Sequence, residues 1–575
     1  MPTQLPRWAE TLRDAHESGT AQMFVLHGNL HDLARVERPS EISYVMVPEF
    51  LSAQLFGRWD AVLLYDQVHG PRALATTPQR VSKINQHVEQ WLGPVEELRQ
   101  TREAGKVLAV LNRYLELALL REGERPSVAL ILDYAHFLAP STSVAYTSRE
   151  LASSLATLLN WAKSPYFKRA PFAFCLLSEK LSDLNESLVQ NPHTFKIEIP
   201  YPDRDERLRF IEWLSVGRDF ATLSEIGREQ LAELTAGLTL VHLQGLLQRP
   251  LRTGQKLTSA ELKVNKKRLI EGQCQGLVEF VEPSVTLDLV VGHEEAKRQL
   301  QKDAELLRQG QLSVVPMGYL VCGPVGTGKT FLAECYAGSV GTPCLKLLNF
   351  RSKYVGETEG NLEKILKVLR VMGPVVVIID EADAMLGDRD TSGDSGTSSR
   401  VFGQFAAQMG NTQYRGRIIW FLLTCRPDLL PIDIKRQGRC EVHIPLYYPH
   451  EPAEIAAMFV TMAKKNRIEL PPEEVPEIQK GLRLSGADVE GIVTRARREA
   501  LIDGAPRPTK AHLQRALDEF LPSVEGDEKE LQVIAATLEC TDRDFLPEQF
   551  RSILSSPEGR SGLLRKYREL KLSLG

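Results

Sequence analysis

The chain is 575 residues long, which at about one domain per 150 residues suggests three or four units. With 43% hydrophobic and 25% charged residues, a net charge of −4 and a pI near 6.4, it has an ordinary globular balance, and nothing in its global charge makes nucleic acid the default partner. Eight cysteines occur singly, with no C-x-x-C pair and no histidines at metal spacing, so neither a zinc site nor a disulfide framework is indicated and a reducing cytoplasm is the expected compartment. No run of about 18 apolar residues predicts a membrane span, and Met1 to His16 is amphipathic rather than an export signal.

In chain order, a helix is expected from Pro6 to Ser18 and a buried strand at Met23 to Leu26, ending in His27-Gly28-Asn29. Helical patterns at Glu49 to Gly57, Pro78 to Leu92 and Ala104 to Arg121 alternate with apolar runs at Ala61 to Tyr65, Val128 to Asp133, Phe172 to Leu177 and Lys196 to Pro200. Continuous apolar runs between helices are what a parallel sheet covered on both faces requires. Asp205 to Leu214 and Val241 to Gln248 read as a small helical appendage, and Thr253 to Gln275, rich in Lys, Gln and Glu, as a linker.

The second half repeats this order. Val128 to Ala135 matches Val375 to Ala382, Phe172 to Ser178 matches Ile419 to Thr424, and Leu238 to Gly245 matches Leu484 to Gly491. The first copy lacks the chemistry, because its Asp133 is followed by Tyr134 and no Gly-Lys-Thr follows Gly28. Chance likeness between parallel-sheet units is the competing explanation.

Further along, Gly323-Pro324-Val325-Gly326-Thr327-Gly328-Lys329-Thr330 follows the apolar run Met317 to Cys322 and fits G-x-x-x-x-G-K-[ST]. Its glycines permit a tight turn with backbone N–H groups aimed at phosphate oxygens, reinforced by the following helix N-terminus. Lys329 is expected on the β- and γ-phosphates of ATP and the Thr330 hydroxyl on Mg²⁺. The strand Val375 to Ile379 delivers Asp380 and Glu381 at its carboxyl end, where open α/β sheets place their chemistry. The strand Ile418 to Leu423, read as the last, runs into Thr424-Cys425-Arg426-Pro427-Asp428, and Lys435-Arg436-Gln437-Gly438-Arg439 follows.

These motifs, in this order, make the region from about Ser284 to Leu521 resemble an AAA module (ATPases associated with various cellular activities). The resemblance implies a parallel five-stranded sheet with helices on both faces plus an α-helical lid, preceded by a degenerate α/β copy. It divides the chain into 1–200, 201–275 (lid-like helices and linker), 276–445, 446–521 (lid) and 522–575 (tail). Asp380 would hold Mg²⁺ through its water shell and Glu381 would polarise the attacking water, although two acids could instead merely cap the next helix. Val290, Val291, Gly292 and Phe331 join residues 323–330 as nucleotide-binding residues. Arg436 and Arg439 stand for the family's paired arginines that reach a neighbouring subunit's site, which implies a homo-oligomeric ring, a hexamer in the family. Cys425 replaces the family's sensor asparagine, and a thiol is a poor donor and acceptor, so sensing is weakened or passed to Thr424.

Tyr354-Val355-Gly356 resembles an aromatic pore loop that grips polypeptide, and Asp390 to Ser399 matches the second pore loop in position. Lid helices are expected at Glu451 to Lys464, Glu474 to Leu482, Ala487 to Leu501 and Lys510 to Phe520, with Ser485 or Asp488 as a cap. The tail, with acids at Glu525 to Glu530 and a basic end at Arg565 to Lys571, reads as a solvated helix or a docking segment. Two functions follow from this: an ATP-hydrolysing ring that remodels a protein substrate or adaptor, or a slow ATP-dependent regulatory or scaffolding switch.

Overall fold

In the computed structural model, residues 5–38, 41–92, 103–121, 123–142, 148–348, 357–386, 395–449, 451–479, 482, 484–521, 526–556 and 559–574 are described. The chain forms two compact units, Met1–Lys266 and Lys267–Gly575, each with its own sheet.

In the first unit the strands are β1 (Met23–Gly28), the hairpin β2 (Leu33–Arg38) and β3 (Glu41–Met46), β4 (Ala61–Asp66), β5 (Gly70–Ala73), β6 (Val128–Leu132), β7 (Phe172–Leu177) and β8 (Thr194–Ile199). Five are parallel in the order β8-β1-β7-β6-β4, and β5 closes one edge antiparallel to β4. Alternation along each strand feeds two cores. Met23 and Val25 pack beneath helices Pro78–Leu92, Ala104–Leu120 and Arg149–Lys163, while Phe24 and Leu26 pack on the opposite face with Leu12 and Ala15 of helix Arg7–Glu17.

The helix expected at Glu49 to Gly57 forms two residues earlier, as a short α-helix, Val47–Phe50, that continues as a π-helix, Leu51–Leu55, directly after the β2–β3 hairpin. The stretch expected to be a linker is largely helix Ser259–Gln273, which follows helices Arg204–Leu214, Arg228–Leu234 and Leu240–Thr253. A reciprocal cap starts the first of these, with Asp203 accepting from the Glu206 amide and Glu206 from the Asp203 amide.

The second unit's strands are β9 (Val278–Val281), β10 (Gly318–Cys322), β11 (Cys344–Leu347), β12 (Val375–Ile379), β13 (Ile418–Thr424) and β14 (Val442–Pro445). The five parallel strands run β14-β10-β13-β12-β11, with β9 antiparallel at the edge beside β11. The five parallel strands follow the first unit's order, so the repeat seen in the sequence is a repeat of topology there. The antiparallel edge strand differs: it comes straight after its neighbour in the first unit (β5) and before all the parallel strands in the second (β9).

Strand β13 is not the last, because four-residue β14 follows and pairs with β10. The lid has helices Pro452–Lys465, Gly486–Ile502 and Lys510–Asp518. The helix expected at Glu474 to Leu482 is absent from its described residues; a single turn, Pro472–Glu474, precedes Pro476, which lacks an amide and disfavours helix at Val475.

The tail is not one helix: its first helix is packed against the sheet edge, whereas the last two are largely exposed. Helices Asp527–Glu539, Glu548–Ser555 and Gly559–Ser573 form, and the first packs beside β14. There the His443 amide donates to Thr541 Oγ1 (2.9 Å), Lys435 Nζ to Glu539 (2.9 Å), and Tyr447 and Thr537 share a hydroxyl hydrogen bond (3.1 Å). Among the described residues no helix is long and apolar enough to cross a membrane.

Candidate active site

Strand β10 is buried along its whole length and aims its carboxyl end at residues 323–328. Gly323 has φ +149° and a Cβ there would stand 2.3 Å from the Leu446 carbonyl oxygen; Gly326 has φ +83° and its Cβ would meet Ser485 Cβ at 2.8 Å. Glycine is therefore required twice, first for the loop to pass the end of β14 and then for the lid to sit on the loop. Helix Lys329–Val340 begins at once, its N-terminal amides facing the loop.

Lys329 is buried, and its Nζ donates to the carbonyls of Gly323 (2.8 Å) and Pro324 (2.9 Å) and to Cys425 Sγ (3.2 Å). Thr330 Oγ1 donates to Asp380 Oδ2 at 2.8 Å. That hydroxyl and carboxylate, both reachable by water, are hard oxygen donors of the kind that hold Mg²⁺ with a partial water shell. Asp380 Oδ1 accepts the Glu381 amide (2.9 Å), and Glu381, exposed just beyond the strand, adopts φ +48°, a left-handed conformation.

Cys425 follows Thr424 at the end of β13. The Thr424 hydroxyl donates to Asp383 (2.6 Å) and accepts from the Arg426 amide (2.9 Å), so it is already committed and does not replace the missing amide of a sensor. Arg426 forms a two-pronged pair with Asp428 (3.0 and 2.8 Å), and Tyr567 of the last helix donates to the same carboxylate at 2.7 Å. Burial raises the Asp428 pKa, but these bonds outweigh it and leave the carboxyl below its ordinary range.

On the lid, Ser485 and Asp488 form a reciprocal cap, each side chain accepting the other's amide (3.0 and 2.8 Å). The Gly486 amide donates to Gly326 O (2.9 Å) and the Tyr448 hydroxyl to Val325 O (2.9 Å); burial pushes that hydroxyl up to about 12, so it stays a donor. Beside the loop opens a cavity of about 490 Å³, lined by Val291, Gly292, Thr327, Met458 and Gly486 and, on its far side, by residues 544–549 and 551 of the tail. Val290 lies in the sheet core instead, and Phe331 packs against that core with Lys465 Nζ 5.8 Å from its ring centre.

The model for ATPases associated with various cellular activities matches residues 319–448, which span this loop, both acids and the arginine segment. This chain carries an AAA ATPase domain. The model for the AAA+ chaperone N-terminal Rossmann-like domain matches residues 1–200 of this AAA protein, and that for the AAA+ chaperone second helical domain matches residues 205–275. A cell division cycle protein 48 homolog of Archaeoglobus fulgidus is 26% identical over 396 residues, covering 60% of this chain and 53% of the relative. A proteasome-activating nucleotidase of Methanothermobacter thermautotrophicus is 30% identical over 264 residues (43% and 62%), and the human ATP-dependent zinc metalloprotease YME1L1 is 29% identical over 280 residues (45% and 36%). The chain thus spans about half the length of the first of these relatives.

In this AAA protein the two arginines stand apart from the cavity, in a surface hollow shared with Ala406 and Gly410. Arg436 is 60% exposed, whereas Arg439 is 12% exposed and donates to the Asp433 carbonyl at 2.7 Å. Tyr354, Val355 and Gly356, and residues 390–394 of Asp390 to Ser399, lie outside the described residues; the rest of that stretch begins helix Ser395–Met409.

The first unit keeps the frame of the same site without its contents. Gly28 has φ +104° and a Cβ would stand 2.5 Å from the Ile199 carbonyl, as Gly323 does from that of Leu446. Tyr134 has φ +52° and its amide bonds Asp133 (2.9 Å), as Glu381 bonds Asp380. Where the second unit has phosphate loop and helix, the first has Asp32 and the hairpin β2–β3. Asp32 is buried and accepts the amides of Leu33, Leu240 and Val241 and the Asn29 side chain. A carboxylate of the chain itself occupies the helix N-terminus, a position that favours an anion.

The tail's share in the cavity and the Asp383 and Asp428 pairings were not legible in the motifs. Asp383 had a faint signal, as a third acid two residues after Glu381; Tyr567 had none, standing 139 residues from its partner.

Proposed function

We propose that this AAA protein is an ATP-driven remodelling machine: a homo-hexameric ring that hydrolyses ATP at one site per chain and pulls a protein substrate or adaptor through its centre. The domains would be 1–200 and 201–275, a copy without nucleotide that recruits or regulates, then the ATPase domain 276–445, the lid 446–521 and the tail 522–575. The observation that carries this reading is the convergence on one loop of Thr330, 2.8 Å from Asp380, and Lys329, 3.2 Å from Cys425, with the lid seated on Gly326.

Lys329 leaves its loop carbonyls for the β- and γ-phosphates, and the loop amides with the helix N-terminus take the remaining charge. Mg²⁺ bound near Thr330 and Asp380 would supply charge neutralisation between the phosphates. Glu381 orients the water and draws its proton as it attacks the γ-phosphate. Arg436, exposed on the surface, reaches a neighbour's site and neutralises charge there during transfer. Tyr354 with Val355 grips polypeptide, and Gly356 lets the loop move. Eight unpaired cysteines fit a reducing compartment such as the cytoplasm.

The test uses three full-length variants. Lys329→Ala is expected to weaken ATP binding by about 100-fold or more. Glu381→Gln binds ATP and stays in the triphosphate state, and Tyr354→Ala keeps ATPase activity but loses ATP-dependent unfolding of a tagged substrate. Normal substrate processing by Tyr354→Ala would remove the threading mechanism. Cys425 at the γ-phosphate end favours a second reading, a slow regulatory switch. A basal turnover that unfolded protein does not stimulate would select it.

A further inference from the structure

We propose that the tail segment 544–551 is the outer wall of the nucleotide's base pocket and that Gln549 sets affinity for the base; this rests on the nucleotide reading above. The phosphate loop fixes one end of any bound nucleotide at residues 323–330, and the ribose and base must then enter the cavity that opens beside Thr327. At about 490 Å³ the cavity is in the range of small-molecule sites. One side is the backbone of Val291 and Gly292, another the lid at Met458 and Gly486, and the outer side is residues 544–549 with Arg551.

That outer wall is built rather than draped. Phe545 is buried in the sheet's own core, so the turn is anchored beneath the cavity. Arg551 fastens the turn to helix Glu548–Ser555, Nε donating to Leu546 O and Nη2 to Asp544 O, both at 2.6 Å. The ring of Phe550 stacks on Tyr447 with centroids 5.3 Å apart, and Tyr447 shares its hydroxyl hydrogen bond with Thr537. Preorganised in this way, the wall offers apolar Leu546 and the amide of Gln549, a side chain that both donates and accepts, on the side where a base would lie.

The experiment compares ATP with tripolyphosphate, which shares the phosphates and lacks the base, by titration calorimetry on the full chain. Gln549→Trp is expected to weaken ATP by about tenfold or more while leaving tripolyphosphate within about twofold. Ser555→Trp, exposed on the same helix and outside the cavity, should change neither. Unchanged ATP affinity in Gln549→Trp overturns the inference and leaves the nucleotide reading standing. A wild-type chain that binds neither ligand overturns the nucleotide reading itself. Hydrogen exchange on the wild-type chain gives an answer without a variant: residues 543–556 should gain protection with ATP and not with tripolyphosphate, and equal protection with both sinks the proposal.

Discussion

The ammonium of Lys329 donates to the thiol of Cys425 across 3.2 Å, joining the phosphate loop to the strand end that follows β13. A thiol offers that lysine a soft, weak partner and offers an attacking water almost nothing. Since Thr424 is engaged by Asp383 and the Arg426 amide, no hydroxyl at that strand end takes over. Cys425→Asn is therefore expected to raise multiple-turnover ATP hydrolysis by roughly three- to tenfold, with ATP affinity held within about twofold. Steady-state phosphate release measures this, and a rate at or below wild type would show that another group orients the water.

The two arginines differ in exposure, and the proposed reach into a neighbouring site falls to the exposed one. Arg436 is 60% exposed, with an ion-pair approach to Asp433 of 3.6 Å, while Arg439 is 12% exposed and tucked against the Asp433 carbonyl. Arg436→Ala should lower turnover by about 100-fold or more with ATP affinity retained, and mixing it with wild-type chains should lower activity of the mixture below the average of its parts. Arg439→Ala should in addition cost about 1 kcal/mol of stability, read by chemical denaturation. Full activity of Arg436→Ala would remove the completion of the site in trans.

The central strands and the phosphate loop were legible because their signals are local. Val375 to Ile379 is apolar without a break because both faces of β12 are covered, and the loop's chemistry sits within eight consecutive residues. Of the edge strands only β8, expected at Lys196 to Pro200, was; the other edge elements were not. Strands β9 and β14 have four residues each, too few for an alternation to stand out, and β2 and β3 carry the mixed pattern of a half-exposed hairpin. The tail failed for another reason. Its charges look like a solvated helix, yet Glu539 is spent on Lys435, 104 residues away, and Tyr567 on Asp428, pairings that no periodicity encodes.

Glu539 makes the tail's docking sensitive to acid. Burial raises its pKa, but hydrogen bonds from His443 and Lys435 and their charges outweigh that, and the carboxyl titrates below its ordinary range. A carboxylate with a depressed folded pKa gives stability that is fully present above the unfolded value, about 4.3, and is lost as pH falls through the folded value. Glu539→Gln is expected to cost about 1–3 kcal/mol at pH 7, and the gap from wild type should close as pH falls below about 4. Hydrogen-exchange protection of helix Asp527–Glu539 across pH measures it; a gap that stays constant with pH would mean that the pair is not what holds the tail.

Asp32 supports the first unit by accepting four N–H donors with two oxygens. Oδ1 takes the amides of Leu33 (2.9 Å) and Val241 (3.0 Å), and Oδ2 takes the Leu240 amide (3.0 Å) and Asn29 Nδ2 (2.8 Å). Asp32→Asn keeps the shape but replaces one oxygen with an N–H₂ group that must face two donors. Two acceptances are lost and a donor–donor opposition appears at a buried helix N-terminus, so a loss of about 2–4 kcal/mol is expected. The protection of helix Leu240–Thr253 against hydrogen exchange should fall with it. ATP affinity should not change, because the carboxylate stands where an anion would bind and the first unit lacks both lysine and phosphate loop. If Asp32→Asn instead left the helix fully protected, this carboxylate would not be what pins the helix; if it gained a second ATP site by calorimetry, the first unit would be a plugged nucleotide site rather than a lost one.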